Sequence, residues 1–181
     1  MKCFVIVLGC GVFAAMAFSG DDTGRPVKPA VVWTGNDSKV EIEEFVRCVS
    51  EFGFREVWKK HRDDYPPSWS FCPKVDFESF MVVGVFTGKN SGWHGIEVKE
   101  IIDEKDCLRF RYWVVTVQPA PPGPNDKPSA PPPQHPVRDY VFAVVPQTTK
   151  AVVIEEGQYS RGLGQPLQFT ERVKLPAIEA K

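Results

Sequence analysis

The stretch that most constrains this chain is residues 80–86, which read Phe-Met-Val-Val-Gly-Val-Phe. Successive side chains of a β-strand point to opposite faces, and here both alternating sets are apolar. One set is Phe80, Val82 and Phe86, and the other is Met81, Val83 and Val85. Such a strand has to be covered on both faces, so the stretch predicts a central strand with packed layers above and below it.

Two β-rich runs follow, and each differs from the first. Residues 93–102 alternate between apolar and charged side chains, as expected for a strand with one face in solvent. Its apolar face would hold Ile96, Val98 and Ile102, and its wet face Glu97 and Lys99. The run 108–117 places Leu108, Phe110, Tyr112 and Val114 on one face, with Arg109 and Arg111 opposite. Because short polar turns separate the three runs, the sequence predicts an antiparallel meander.

The flanking segments continue the β pattern. Residues 140–145 and 151–154 are apolar runs joined by a turn that begins with Pro146, which predicts a closing hairpin. Edge strands are expected near residues 30–33 and 168–174, and a frayed tail over residues 176–181. Residues 119–136 contain nine prolines in eighteen residues, which predicts a polyproline spacer or exposed loop rather than a strand.

The N-terminus resembles a secretory signal peptide. Lys2 precedes an apolar run over residues 3–18 that is shorter than the roughly 20 residues of a membrane-spanning helix, and residues 17–19 offer a cleavage site after Ser19. The alternative is a lipoprotein signal that leaves an acylated Cys10. The run continues well beyond Cys10, which argues against lipidation. We therefore expect an exported chain, periplasmic or extracellular, with no stable membrane span after cleavage.

Charge and cysteine content narrow the functional classes. The chain has 22 basic and 23 acidic residues and a net charge of −1, so it lacks the basic surface expected of a nucleic-acid-binding protein. Three cysteines, Cys48, Cys72 and Cys107, would remain after cleavage. One reading pairs two of them in a disulfide. The favoured reading is three buried small side chains, because no Cys-x-x-Cys or Cys-x-x-His unit is present.

Nothing in the sequence predicts a catalytic, metal or cofactor site. His61, His94 and His135 share no metal-ligand spacing, and a Cys107–His94 nucleophilic pair lacks any accompanying motif. Asp76 is expected to cap a turn through its carboxylate. The candidate binding site is the polar turn after Gly88, which offers hydrogen-bonding groups beside an aromatic ring. Its residues are Lys89, Asn90, Ser91, Gly92, Trp93 and His94.

The order of these features resembles the PrcB C-terminal domain family over residues 45–156. The resemblance rests on Val75-Asp76-Phe77 before the Val- and Phe-rich strand, on the turn ending in Gly92-Trp93, and on the strand at residues 140–145 after the Pro-rich gap. The chain departs from the family where Asn90-Ser91-Gly92 stands in place of Thr-Gly-Gly and Trp93 in place of Tyr. The resemblance implies a mainly β, sandwich-like domain over residues 44–156 with one short helix, between a leader (20–43) and a tail (157–181).

Residues 38–62 allow two interpretations. Ser38 and Glu41 have the spacing of a capping box, and Ile42, Phe45, Val46 and Val49 recur at helical intervals, which favours a helix. The resemblance instead implies a strand over residues 44–49 and a helix capped at Ser50. We adopt the second interpretation, because residues 51–61 are clearly amphipathic, with Phe54, Val57 and Trp58 on one face.

The family's founding member is an accessory lipoprotein of a surface protease complex. The resemblance therefore implies a non-catalytic exported module that binds a partner protein, with an exported protease as the candidate partner, and uses no cofactor. The alternative is a peptidase inhibitor that inserts the Gly-rich turn and the Pro-rich loop into an active-site cleft.

Overall fold

The computed structural model describes residues 24–62, 71–91, 94–116, 136–158 and 168–179. Within these ranges, one helix, α1 (Glu51–Arg62), lies among eleven strands. The first strands are β1 (Arg25–Pro26), β2 (Val31–Gly35), β3 (Glu44–Cys48), β4 (Phe80–Phe86) and β5 (Asn90–Ser91). The others are β6 (His94–Asp103), β7 (Cys107–Thr116), β8 (Pro136–Val137), β9 (Tyr140–Pro146), β10 (Ala151–Gln158) and β11 (Gln168–Leu175). The mainly β fold with one short helix is confirmed.

Two sheets pack face to face. Sheet A has the order β1-β6-β7-β10-β11, and sheet B has the order β2-β9-β4-β3. All pairs are antiparallel except β7 with β10, which run parallel. A short ladder of β5 with β8 lies apart from both sheets.

Two apolar layers hold the fold together. Between the sheets, Met81, Val83 and Val85 of β4 pack with the inward side chains of β6, β7, β9 and β10. On the other face of sheet B, Val82 and Phe86 pack with Phe142 and with α1. The strand β4 is therefore covered on both faces and lies in the middle of sheet B, as its sequence predicts.

The helix α1 begins at the predicted cap. The Gly53 N–H donates to Ser50 Oγ (3.2 Å), and the preceding strand ends at Cys48. The alternative interpretation, a helix from the Ser38 capping box, is excluded, because residues 44–48 form β3 and Ser38 Oγ accepts the Val40 N–H (3.1 Å). Phe54, Val57 and Trp58 all pack in the apolar layer between α1 and sheet B, so the predicted amphipathic face of α1 is confirmed.

The predicted three-strand meander is confirmed only for its last two strands, which form the β6–β7 hairpin, and the predicted closing hairpin is wrong. The strand β4 pairs with β3 and β9 in sheet B, while β6 and β7 pair with each other in sheet A. Likewise, β9 lies in sheet B and β10 in sheet A. The connections after Phe86 and Pro146 therefore cross between sheets. A short polar turn looks the same in sequence whether it returns within a sheet or crosses to the next one.

A β-bulge changes which residues of β6 face the core, so the predicted inner face is partly wrong. The register against β7 shifts between Val98 and Glu100, so an extra residue, Lys99, interrupts the alternation. As a result Ile101, only 2% exposed, points into the core where Ile102 was expected. The charged residues Glu97 and Lys99 do face solvent and contact each other (3.2 Å).

The predicted leader and tail also contribute to the fold. The strands β1 and β2 lie at the edges of sheets A and B, and β11 forms the other edge of sheet A. The tail beyond β11 is not frayed up to Ile178, whose N–H donates to the Thr149 carbonyl (2.8 Å). The structured unit therefore extends beyond residues 44–156 on both sides. Within the described ranges, no helix is long and apolar enough to cross a membrane.

Candidate functional site

The candidate binding turn connects the two sheets at one end of the sandwich. Lys89 is exposed, and its N–H donates to the Glu41 carbonyl (2.9 Å). Asn90 and Ser91 form β5, and His94 opens β6 opposite Thr116. Gly92, Trp93 and the side chains of Asn90, Ser91 and His94 lie outside the described part of the chain. The backbone of the turn is therefore placed, whereas its predicted binding groups, apart from Lys89, are not.

The base of this turn is tightly held. Gly88 has a φ of +72°, and a Cβ there would lie 2.8 Å from the backbone nitrogen of Glu43. Other residues rarely adopt such a φ, and a Cβ would not fit so close to the backbone, so glycine is required here. The Thr87 N–H donates to the Asp139 carbonyl (3.0 Å), which fixes the other side of the base. The turn thus projects from a fixed platform.

The Pro-rich segment leaves and re-enters the fold at the same end. It follows Thr116, the last residue of β7, which pairs with His94. It returns at Pro136, which pairs with Ser91 in the short β5–β8 ladder. The two segments that the sequence singles out for recognition are thus brought together, although residues 117–135 themselves lie outside the described part.

Three buried polar residues that sequence reasoning missed, Ser38, His61 and Asp139, lie beneath this platform. His61 Nδ1 is 3.0 Å from Ser38 Oγ, and the His61 ring lies 4.1 Å from the Tyr140 ring. Asp139 precedes Tyr140 in the chain, and Ser38, His61 and Asp139 are each 1% exposed or less. These are the residue types of hydrolase triads, but a nucleophile needs access to substrate. In this conformation Ser38 is buried from solvent, and His61 of α1 packs against Tyr140 of sheet B.

The signal for this buried group was present in the helix pattern. His61 follows Phe54 by seven residues, so the helical spacing that turns Phe54, Val57 and Trp58 towards sheet B also places His61 on the inner face. The Cys107–His94 pair, in contrast, is excluded by the strand register. His94 lies at the start of β6, and Cys107 opens β7 beside the other end of β6. Ten residues of strand separate them, roughly 30 Å.

The outer face of sheet A carries a chain of ion pairs. Arg109 donates from Nε to Glu104 Oε1 (2.7 Å) and also bonds Glu155, while Arg111 joins Glu155 (2.6 Å) to Glu100 (2.5 Å). The hydrogen bond from Arg109 lowers the pKa of Glu104 to about 2. Opposite charges alternate across β6, β7 and β10, so this face is largely self-neutralised.

Glu104 gives the fold a specific pH dependence. Its folded pKa lies below its usual 4.5, so it stabilises the fold above that pH, and the contribution disappears as the pH falls towards about 2. We expect Glu104→Gln to lower the free energy of unfolding most near neutral pH. The difference from wild type should shrink between about pH 5 and pH 3 in urea titrations. Glu78→Gln, at an exposed carboxylate that forms no ion pair with the described residues, is the control for removing a surface charge. A constant difference for Glu104→Gln would contradict the assignment.

The remaining sequence-based site predictions have mixed outcomes. Asp76 Oδ1 accepts the Glu78 N–H (3.1 Å), so the predicted turn cap is confirmed. The three cysteines are free; Cys48 and Cys107 are buried, but Cys72 is only half-buried. Burial raises the pKa of Cys48 to about 12 and that of Cys72 to about 11, so neither thiol is activated. Among the described residues, no three His, Cys, Asp or Glu side chains group as metal ligands would.

Comparison with known proteins adds no relative: no family model, no curated protein and no solved structure matches this chain. The functional assignment therefore depends on the residues and their arrangement.

Proposed function

We propose that this chain is an exported, non-catalytic module that binds a partner protein, and that it acts as an accessory or stabilising subunit of an envelope complex. The observation that supports this best is the meeting of two recognition segments at one end of the sandwich. The turn after Gly88 pairs with the end of the Pro-rich segment through β5 and β8. A partner would contact both segments at once.

The scaffold suits this role because it holds the binding end in one geometry. Gly88, Thr87 and Lys89 are fixed by backbone hydrogen bonds or close backbone approach, and β4, which leads into the turn, is buried on both faces. A prearranged loop loses less conformational entropy on binding than a free one does. The sandwich thus supplies rigidity, and the loops supply contacts.

Partner capture tests the proposal. The secreted chain is used as bait in extracts of the source cell's envelope, beside Trp93→Ala and Phe52→Ala baits. Phe52 is a matched aromatic control, since it is 75% exposed on α1. Trp93→Ala is expected to weaken capture of one specific protein about tenfold or more, as loss of an aromatic anchor does, with little change in melting temperature. Phe52→Ala should capture as wild type.

Two results would overturn this role for the turn. One is equal capture by all three baits, and the other is a large fall in melting temperature for Trp93→Ala with unchanged capture. Inhibition assays on papain-like and chymotrypsin-like proteases test the alternative that the chain is a peptidase inhibitor. An inhibitor would block catalysis in proportion to its concentration, whereas an accessory subunit would bind and leave catalysis intact.

A further inference from the structure

A second candidate site lies at the opposite end of the sandwich from the recognition loops. It is a pocket of about 360 Å³ between the segment around β1 and the connection from β9 to β10. Asp103, the last residue of β6, and Pro146, the last residue of β9, both line it. Because β6 spans ten residues, this pocket lies roughly 30 Å from the loops at the other end of the strand.

The lining of this pocket is cationic. Arg25, Lys28 and Lys150 contribute three positive charges, and Asp103 contributes the one carboxylate. Lys150 Nζ donates to Asp103 Oδ1 (2.6 Å) and to the Glu104 carbonyl (2.7 Å), so that carboxylate is already neutralised. Two cations are left uncompensated at the pocket, although the chain as a whole has a net charge of −1.

Arg25 stands out among the arginines of the described ranges. Every other one donates to a carboxylate or a carbonyl oxygen, whereas Arg25 bonds to no described residue. Arg25 lies directly opposite Asp103 in the strand register, but the Asp103 carboxylate accepts a hydrogen bond from Lys150 and not from Arg25. Lys28 is likewise exposed and unpaired with any described residue. Both side chains remain available to an anion.

The pocket also has an apolar part. Leu108, which is 3% exposed, contributes to its lining, together with Val27, Pro26 and Pro146. A guanidinium binds a carboxylate through two parallel hydrogen bonds, and an adjacent ammonium adds a further one. The complementary ligand therefore has a carboxylate next to a short apolar group. We propose that this pocket binds such a carboxylate, as found at the C-terminus of a peptide that ends in an aliphatic residue.

Titration of the isotope-labelled full chain by NMR tests this proposal. The probes are acetyl-Ala-Ala-Leu with a free carboxylate, the same peptide as its amide, hexanoate and inorganic phosphate. The free peptide should shift the amide signals of Lys28, Gln147 and Thr148, and the amide should bind about tenfold more weakly, since charge-assisted hydrogen bonds are lost. Hexanoate shows whether the ligand is a peptide or a free carboxylic acid. Weaker binding of hexanoate than of the peptide would indicate a peptide C-terminus, and equal binding would indicate a free carboxylic acid.

Variants at the exposed cations complete the test. Arg25→Glu with Lys28→Glu should weaken binding of the free peptide by more than about tenfold and leave the rest of the spectrum unchanged. The matched control is Lys39→Glu with Lys105→Glu, which makes the same charge change at exposed lysines outside the pocket. Equal loss in both double variants, or phosphate binding as tightly as the peptide, would overturn the proposal. So would the absence of any shift at the pocket amides.

Discussion

Phe54→Ala is expected to lower the free energy of unfolding by about 3–5 kcal/mol, as truncation of a buried phenylalanine typically does. Phe54 is 1% exposed and lies at the centre of the layer between α1 and sheet B. Its ring contacts four others, at centroid distances of 5.7–6.2 Å: Trp33, Trp58, Phe77 and Phe142. Removing it leaves a cavity bordered by rings from four separate segments, which cannot all move to fill it.

The measurement is urea-induced unfolding followed by tryptophan fluorescence, because Trp33 and Trp58 report directly on this layer. Phe52→Ala, on the exposed face of the same helix, should change the free energy of unfolding by less than about 0.5 kcal/mol. A loss below about 1 kcal/mol for Phe54→Ala would mean that α1 is not docked on sheet B as described.

Arg47→Met is expected to lower the free energy of unfolding by about 2–4 kcal/mol, since a charged donor is removed from several carbonyl oxygens. The Arg47 guanidinium donates to the carbonyls of Lys150 (2.8 Å), Pro176 (3.2 Å) and Thr148. It thereby ties β3 to the crossing between the sheets and to the chain after β11. Among the described residues, no carboxylate forms an ion pair with Arg47, so its stabilising effect comes from these carbonyl contacts.

Arg47→Lys distinguishes geometry from charge. A single ammonium cannot reach three carbonyls in the fixed fork of a guanidinium, so this variant should recover only part of the lost stability. Arg55→Met is the control, because among the described residues Arg55 forms an ion pair with Glu51 alone, and that pair is exposed on α1. Chemical denaturation of the three variants should show Arg47→Met as the least stable, Arg47→Lys as intermediate and Arg55→Met as close to wild type. Equal stabilities for Arg47→Lys and wild type would show that charge alone matters.

The sequence predicted best those elements whose burial follows from local pattern. The two apolar faces of β4 required covering layers, and the structure supplies sheet A on one side and α1 on the other. The cap at Ser50 was readable because a single side chain satisfies a helix terminus. Each of these features depends on residues that are close together in the chain.

Strand pairing could not be predicted in the same way. The alternation of apolar and polar residues shows which face of a strand is buried, but not which strand pairs with it. The residues of the turns after Phe86 and Pro146 therefore did not show that the chain crosses between sheets there. The crossing brings residues far apart in the chain into contact, such as Arg47 and the Lys150 carbonyl. The cationic pocket could not be predicted from the sequence for the same reason. Arg25 and Lys28 come from the start of the described chain and Lys150 from near its end, and they meet only once the chain has folded.

The parallel pairing of β7 with β10 also determines how quickly this chain can fold. The hairpin of β6 and β7 needs only adjacent residues, whereas β10 begins at Ala151, after the whole Pro-rich segment and β9. The entropy of closing that long loop is lost before the new contacts form, so folding should take on the order of milliseconds to seconds rather than microseconds. Until β10 pairs with β7, the edge of β7 has free backbone hydrogen-bonding groups with which strands of other chains can pair. The risk of aggregation is therefore greatest before the native sheet closes.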